Sequence, residues 1–277
     1  MLPIRGLLKT RSFYLTKNSA SAALVQRFQS HSQEPSANTG GIKMSFEVEK
    51  LKFLSMPSEE KRALYRKTAN KNVVTLDQIP TWIEYWKSNK SRMKKSTWEE
   101  VGIVEHDLAK KVSLWSGDIT SLEVDVIVNA ANRSLQGGGG VDGAIHKMAG
   151  PKLKQESTTM APCGVGEVRL TGAYALPAKY VIHTVGPQDE KPNMLSKCYE
   201  QSLVLAEKQG FKSIAFPCIS TGVYGYPQHK AAAVALGTVK NFLEDHDNVI
   251  NRVIFCVFLD SDKMIYEELL QKFFALE

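Results

Sequence analysis

The residues best equipped for chemistry lie between Asn129 and Gly150: Asn-Ala-Ala-Asn-Arg-Ser-Leu-Gln-Gly-Gly-Gly-Gly-Val-Asp-Gly-Ala-Ile-His-Lys-Met-Ala-Gly. Gly137 to Gly140 remove every Cβ from a short loop, so its backbone amides can approach a ligand closely. Such a loop running into a helix N-terminus favours an anion, because unpaired N–H groups and the helix dipole act together. The expected ligand is a phosphate or diphosphate. Asp142 and His146 would share one helical face beside the loop if the helix starts near Val141. Each has a plainer role alone: acids favour the first turn of a helix, and a single histidine can belong to a core. Side by side next to four glycines, they point to a site that does more than hold phosphate.

The flanking sequence supplies elements to position them. Val124 to Val128 is an apolar, β-branched run of the kind buried on both faces of a sheet. Val141, Ala144, Ile145, Met148 and Ala149 recur at helical spacing. Further strands are expected at Val112 to Trp115, Gly166 to Thr171, Tyr180 to Val185, Ser213 to Pro217 and Val253 to Leu259. Helices are expected at Leu195 to Lys208, Gln228 to Leu243 and Lys263 to Phe274. Alternation of this kind implies a mostly parallel sheet with helices on both faces, with ligands bound where loops leave the carboxyl ends of strands. Three loops leave strands in this way, at Asp118, at Gly137 to Asp142 and at Ser220 to Tyr224. Between Phe46 and Lys95 the pattern is charged and mostly helical, with a start at Ser58-Glu59-Glu60 and another at Pro80-Thr81-Trp82. These residues read as an extension packed on the main domain.

Composition narrows the function classes. In 277 residues there is room for one large domain plus an extension, or for two small domains, and no run approaches the roughly 18 apolar residues of a membrane span. Cys163, Cys198, Cys218 and Cys256 lack metal-ligand spacing, so neither a zinc site nor a disulfide framework is expected. Five of the formal +6 charges, on Arg5, Lys9, Arg11, Lys17 and Arg27, fall before the first acid, Glu34. The remainder is near neutral, which argues against nucleic acid as a ligand. The acid-free leader, rich in Ser, Ala and Leu, fits a mitochondrial transit peptide, the plainer alternative being a disordered basic tail. A linker follows to residue 43, and Met44 could start a leaderless form. No GxGxxG, GxxxxGK[ST] or GxSxG signature is present, so a dinucleotide dehydrogenase, a P-loop NTPase and a serine hydrolase are poorly supported.

Five ordered motifs resemble the macrodomain family: Gly117-Asp118-Ile119-Thr120, Asn129-Ala130-Ala131-Asn132, Gly137 to His146, Leu176 to Pro187, and Ile219 to Pro227. The segment Gly-Gly-Gly-Gly-Val-Asp-Gly-Ala-Ile-His is similar to its MacroD-type branch. The resemblance spans residues 96 to 277 and reaches weakly back to Ile79-Pro80-Thr81-Trp82. It implies a three-layer α/β/α macrodomain with a mixed, mostly parallel sheet, and an N-terminal helical extension over residues 44 to 95. It also implies ADP-ribose as ligand and no cofactor. Asp118 and Ile119 would then receive adenine. Gly138, Gly139, Gly140 and Val141 would clamp the diphosphate against Ser220, Thr221, Gly222, Val223 and Tyr224. Asn132 would bond the distal ribose, with Tyr224 packed on it, and Phe258 would either stack on adenine or pack in the core.

The implied reaction is hydrolysis of the ester joining the distal ribose to a protein Asp or Glu, or of the acetyl ester of O-acetyl-ADP-ribose. Asp142 would orient or deprotonate the water, His146 would position Asp142 or the ribose, and a substrate phosphate oxygen could share the base role. The motif holds no second carboxylate, so the two-carboxylate glycosidase mechanism is not supported. Mono-ADP-ribosylated proteins are the implied partners, with the chain monomeric and away from membranes. The competing reading is a module that binds ADP-ribose without cleaving it, which would have no need of Asp142 or His146. Lys147-Met148 and the short segment Gln188 to Asn193 depart from close relatives and leave substrate preference open.

Overall fold

The computed structural model describes residues 45–94, 106–246 and 249–276. The expected leader, and the linker to residue 43, lie outside them. Residues 44–277 form a single unit. Its six-stranded sheet is built from β2 (Val112–Ser116), β4 (Val126–Ala130), β5 (Val168–Gly172), β6 (Tyr180–Thr184), β7 (Ser213–Phe216) and β8 (Arg252–Val257). The spatial order is β2-β8-β7-β4-β6-β5, parallel throughout except for β5, which runs antiparallel to β6 at one edge. The mixed, mostly parallel sheet of the expected α/β/α architecture is thus observed. A small parallel pair, β1 (Val74–Thr75) with β3 (Leu122–Glu123), lies outside the main sheet.

Strict alternation along the central strands builds a core on each face. Val126, Val128, Ile182, Ile214, Phe216, Val253 and Phe255 point to one side, where they meet α3 (Trp82–Asn89), α4 (His106–Lys111), α7 (Pro192–Gln209), α8 (Gln228–Asp245) and α9 (Asp260–Phe273). Ile127, Val181, Ala215 and Ile254 point to the other, against α5 (Gly140–Ala149) and α6 (Pro151–Thr158). Helix α6 was not expected. It starts at Pro151, which suits a first helical position, immediately after Gly150 ends α5 at φ +86°.

Strand ends differ from expectation where polar side chains take over. The β4 run begins at Val126 rather than Val124, because Asp125 accepts hydrogen bonds from the Lys212 and Ser213 amides and pairs with Lys179. Strand β8 stops at Val257, which leaves Phe258 and Leu259 outside it.

The N-terminal residues carry α1 (Phe46–Ser55), α2 (Ser58–Ala69) and α3. Helix α3 opens on a capping box: Thr81 Oγ1 accepts from the Glu84 amide, and the Glu84 carboxylate accepts from the Thr81 amide at 2.8 Å. Side chains fasten these helices onto the rest. Lys50 pairs with the buried Glu156 at 2.6 Å, Arg62 pairs with Glu123, and the Lys61 ammonium donates to the Ala178 carbonyl at 2.7 Å. Trp82 is fully buried, and its Nε1–H donates to the Phe274 carbonyl at 3.0 Å. Replacing it with alanine removes a large core contact and orphans that carbonyl. Trp82→Ala is therefore expected to lower unfolding stability by about 3–5 kcal/mol, measured by chemical denaturation.

Candidate functional site

Parallel strands β2, β8, β7, β4 and β6 all release their loops at one edge of the sheet, and the candidate residues collect there. After β4 the chain turns at Asn132, whose Oδ1 accepts from the Ser134 amide and hydroxyl at 3.0 and 2.7 Å. Its Nδ2 donates to the Gly137 carbonyl at 2.9 Å, which pins the start of the glycine loop. Gly137 and Gly140 sit at φ +83° and +59°, in the left-handed region where other residues are strained. A Cβ at Gly143 would lie 2.4 Å from the Gly138 carbonyl, so this glycine lets the loop fold back over the first turn of α5. At Gly139 and Gly140 a Cβ would meet nothing within 4 Å, so the loop presents bare backbone to open space. No side chain caps α5 at Gly139, and its first-turn amides remain available to an anion.

Asp142 lies under this loop and is only 3 % exposed. Its Oδ1 accepts from Asn129 Nδ2 at 2.8 Å, and His146 Nε2 stands 3.5 Å away. Its Oδ2 faces Asn132 Nδ2 at 3.4 Å and the Gly138 backbone, where an added Cβ would sit 3.1 Å from it. The expected helix start and the shared face of Asp142 and His146 are both found. Burial pushes the Asp142 carboxyl above its ordinary 3.8, against the Asn129 hydrogen bond and the charge that His146 could carry. Burial also lowers His146 below 6.5, against the pull of Asp142. Both ring nitrogens of His146 are buried and have no hydrogen-bond partner among the described residues. The polar group close to them is the Asp142 carboxylate, whose Oδ1 lies 3.5 Å from Nε2.

The second loop leaves β7, the neighbour of β4. Ser220 takes a left-handed φ of +68°, and its carbonyl accepts from the Tyr226 amide at 3.0 Å, closing the loop at its base. Thr221 Oγ1 donates to the Cys218 carbonyl. Between these bonds Gly222 and Val223 stand exposed and Tyr224 is half-buried. Gly186, at the end of β6, packs so closely beneath that a Cβ there would fall 2.0 Å from Ser220 Oγ.

At the β2 end, Asp118 Oδ1 caps the turn Ile119–Ser121 by accepting from the Thr120 amide and hydroxyl, and Oδ2 pairs with Lys71 at 2.6 Å. Burial opposes ionisation of Asp118, yet Lys71 and Thr120 hold its carboxyl below 3.8. Ile119 is buried. Phe258 is 76 % exposed at the end of β8, which excludes core packing and leaves it available to a planar ligand. Among the described residues no group of three His, Cys, Asp or Glu side chains is placed to hold a metal.

Comparison with known proteins bears on the same residues. The Macro domain family model matches residues 128–235, from the end of β4 into α8. The chain is 45 % identical over 212 residues to ADP-ribose glycohydrolase MACROD1 of Rattus norvegicus, covering 74 % of this chain and 81 % of that protein. This chain belongs to the macrodomain family. It is also 50 % identical over 238 residues to ADP-ribose glycohydrolase MACROD2 of Xenopus laevis, covering 84 % of this chain and 55 % of that protein. It spans about half the length of the MACROD2 relatives that it matches. Among solved structures, the Trypanosoma brucei macrodomain in complex with ADP-ribose superposes with a TM-score of 0.64 at 37 % identity, covering 85 % of this chain and 92 % of that one.

Three features of this macrodomain's site were not anticipated residue by residue. Asn129 and His183, adjacent in the β4/β6 register, are fully buried and meet at 3.0 Å. Their signal was a polar residue inside an otherwise apolar strand. Lys71 comes from beyond the end of α2 and left no local signal at all. Burial drives His183 down to about 3, so it stays neutral in the fold while an unfolded histidine titrates near 6.5. Stability from this group is complete above pH 6.5 and is lost as pH falls toward 3, because the unfolded chain then binds the extra proton. Wild type is expected to lose stability over that window in pH-dependent denaturation, and His183→Gln to show a shallower slope.

Proposed function

We propose that the chain is a hydrolase that removes mono-ADP-ribose from ester-linked Asp and Glu side chains of modified proteins and deacetylates O-acetyl-ADP-ribose. The observation that carries this reading is the placement of Asp142: a nearly buried carboxylate under a bare glycine loop, with Oδ2 facing that loop and the His146 imidazole 3.5 Å from Oδ1. Relatives named ADP-ribose glycohydrolase and a similar macrodomain solved with ADP-ribose support it.

In this reading adenine lies at Asp118, Ile119 and Phe258, and the diphosphate between the amides of Gly138 to Val141 and those of Ser220 to Tyr224. Asn132 and Tyr224 receive the distal ribose. Asp142 orients a water against the ester and takes its proton as the new C–O bond forms, with a substrate phosphate oxygen able to share that role. For the protein ester the water oxygen bonds to C1 of the distal ribose as the C1–O bond to the Asp or Glu breaks, and the departing carboxylate is stable as an anion and requires little protonation. For the acetyl ester the water adds to the acetyl carbon, and the ribose oxygen that leaves takes the proton back as a hydroxyl. Amides around the diphosphate and the α5 dipole offset the charge that develops. His146, with Nε2 3.5 Å from Asp142 Oδ1, positions that carboxylate or the ribose. Burial, which raises the Asp142 carboxyl from its ordinary range, makes its carboxylate a stronger base.

A binding module that does not cleave remains the second reading, since a glycine loop alone suffices for affinity. The leader composition supports mitochondrial import, and the near-neutral remainder argues against nucleic acid as a ligand. The decisive experiment compares wild type with Asp142→Ala on a glutamate-linked mono-ADP-ribosylated protein, with ADP-ribose affinity followed by calorimetry. The expected result is release by wild type and about a hundredfold slower release by the variant at similar affinity. Binding by both proteins with release by neither would establish the module instead.

A further inference from the structure

We propose that His183 and Thr171, beneath the carboxylate and apart from any ligand, are positioning residues that decide which oxygen of Asp142 faces the substrate. The proposal rests on the reading of Asp142 as the group that activates water. Its basis is a hydrogen-bonded chain with a single polarity. The Asn129 amide nitrogen has two hydrogens, and the two contacts it makes are Asp142 Oδ1 at 2.8 Å and His183 Nδ1 at 3.0 Å. The amide orientation is assigned from these partners, since turning Asn129 over would set its oxygen against a carboxylate. An amide nitrogen only donates, so His183 Nδ1 accepts and the imidazole proton sits on Nε2. Nε2–H then donates to Thr171 Oγ1 at 2.9 Å, and the threonine hydroxyl turns to the Val181 carbonyl at 3.5 Å.

Each member is placed by the sheet. Asn129 and His183 are direct partners in the parallel β4/β6 register. Thr171 is opposite Val181 in the antiparallel β5/β6 pair, one diagonal step from His183 on the same face. Asn129, His183 and Thr171 are all fully buried. With Nδ1 fixed as an acceptor, one amide hydrogen is held on the histidine and the other is aimed at Oδ1 of Asp142. Oδ2 is thereby left toward Gly138 and Asn132, on the side of the glycine loop. The edge strand β5, which contributes no residue to the ligand loops, reaches the reaction through this chain.

Two substitutions at His183 separate positioning from folding. In His183→Asn the side-chain oxygen can occupy the place of Nδ1 and accept from Asn129. In His183→Gln the amide can reach Thr171 but leaves one of the two Asn129 amide hydrogens without an acceptor. The readouts are single-turnover release from a glutamate-linked substrate, ADP-ribose affinity by calorimetry, and melting temperature. His183→Gln is expected to release ADP-ribose about tenfold or more slowly with affinity within about twofold of wild type, and His183→Asn to recover most of that loss. If His183→Gln fails to fold, Thr171→Val takes its place, with a smaller rate loss and unchanged affinity. The proposal is overturned if the folded variant turns over like wild type, or if both His183 variants lose rate and affinity together in step with stability. A wild type that binds ADP-ribose and releases none would instead bring down the hydrolase reading, and this proposal with it.

Discussion

A carboxylate that is almost out of water is the constraint around which this macrodomain is arranged. Burying an ionisable group is costly unless neighbours hydrogen-bond it, and in Asp142 the compensation is partial: Asn129 on one oxygen, Asn132 at longer range on the other. The carboxyl is left above its usual range and His146 below its own, so neither charge is comfortable. That balance requires β4 and β6 to pair in a fixed parallel register, and α5 to begin where the glycine loop ends. A one-residue slip of either strand would turn Asn129 or His183 to the opposite face and leave Asp142 unsupported.

The loops then add what the carboxylate cannot. Gly143 and Gly186 allow two close backbone approaches, one bringing the glycine loop down over α5 and the other seating the Ser220 loop beside β6. Both loops leave adjacent parallel strands at their carboxyl ends, as open α/β sheets commonly arrange their ligand sites. The N-terminal helices are tied into this arrangement and do not merely precede it. Lys71 pairs with Asp118 at one end of the site, Tyr65 reaches Thr120 in the same turn, and Lys50 meets Glu156 on the helix after α5.

Much of this was legible in the residues themselves. Apolar runs, and for β5 an alternating stretch, mark the strands of the main sheet, and their interleaving with helices indicates its mostly parallel sense. The glycines, Asp142 and His146 were readable because local spacing alone puts them together. What escaped depends on partners far away in the chain. Asn129 and His183 are 54 residues apart and meet only through strand register. Lys71 meets Asp118 only because α2 packs across the chain. The end of β8 at Val257, and with it the exposure of Phe258, follows from where the sheet stops rather than from the apolar run, which continues to Leu259.

The most direct test of this account is the titration of the Asp142 carboxyl carbon by NMR in the ligand-free protein, assigned by loss of the signal in Asp142→Asn. The account predicts an apparent midpoint above 3.8, coupled to a His146 midpoint below 6.5. A midpoint at or below 3.8 would mean that the carboxylate is well solvated or fully compensated, and would contradict the buried, poised base on which the proposed chemistry depends.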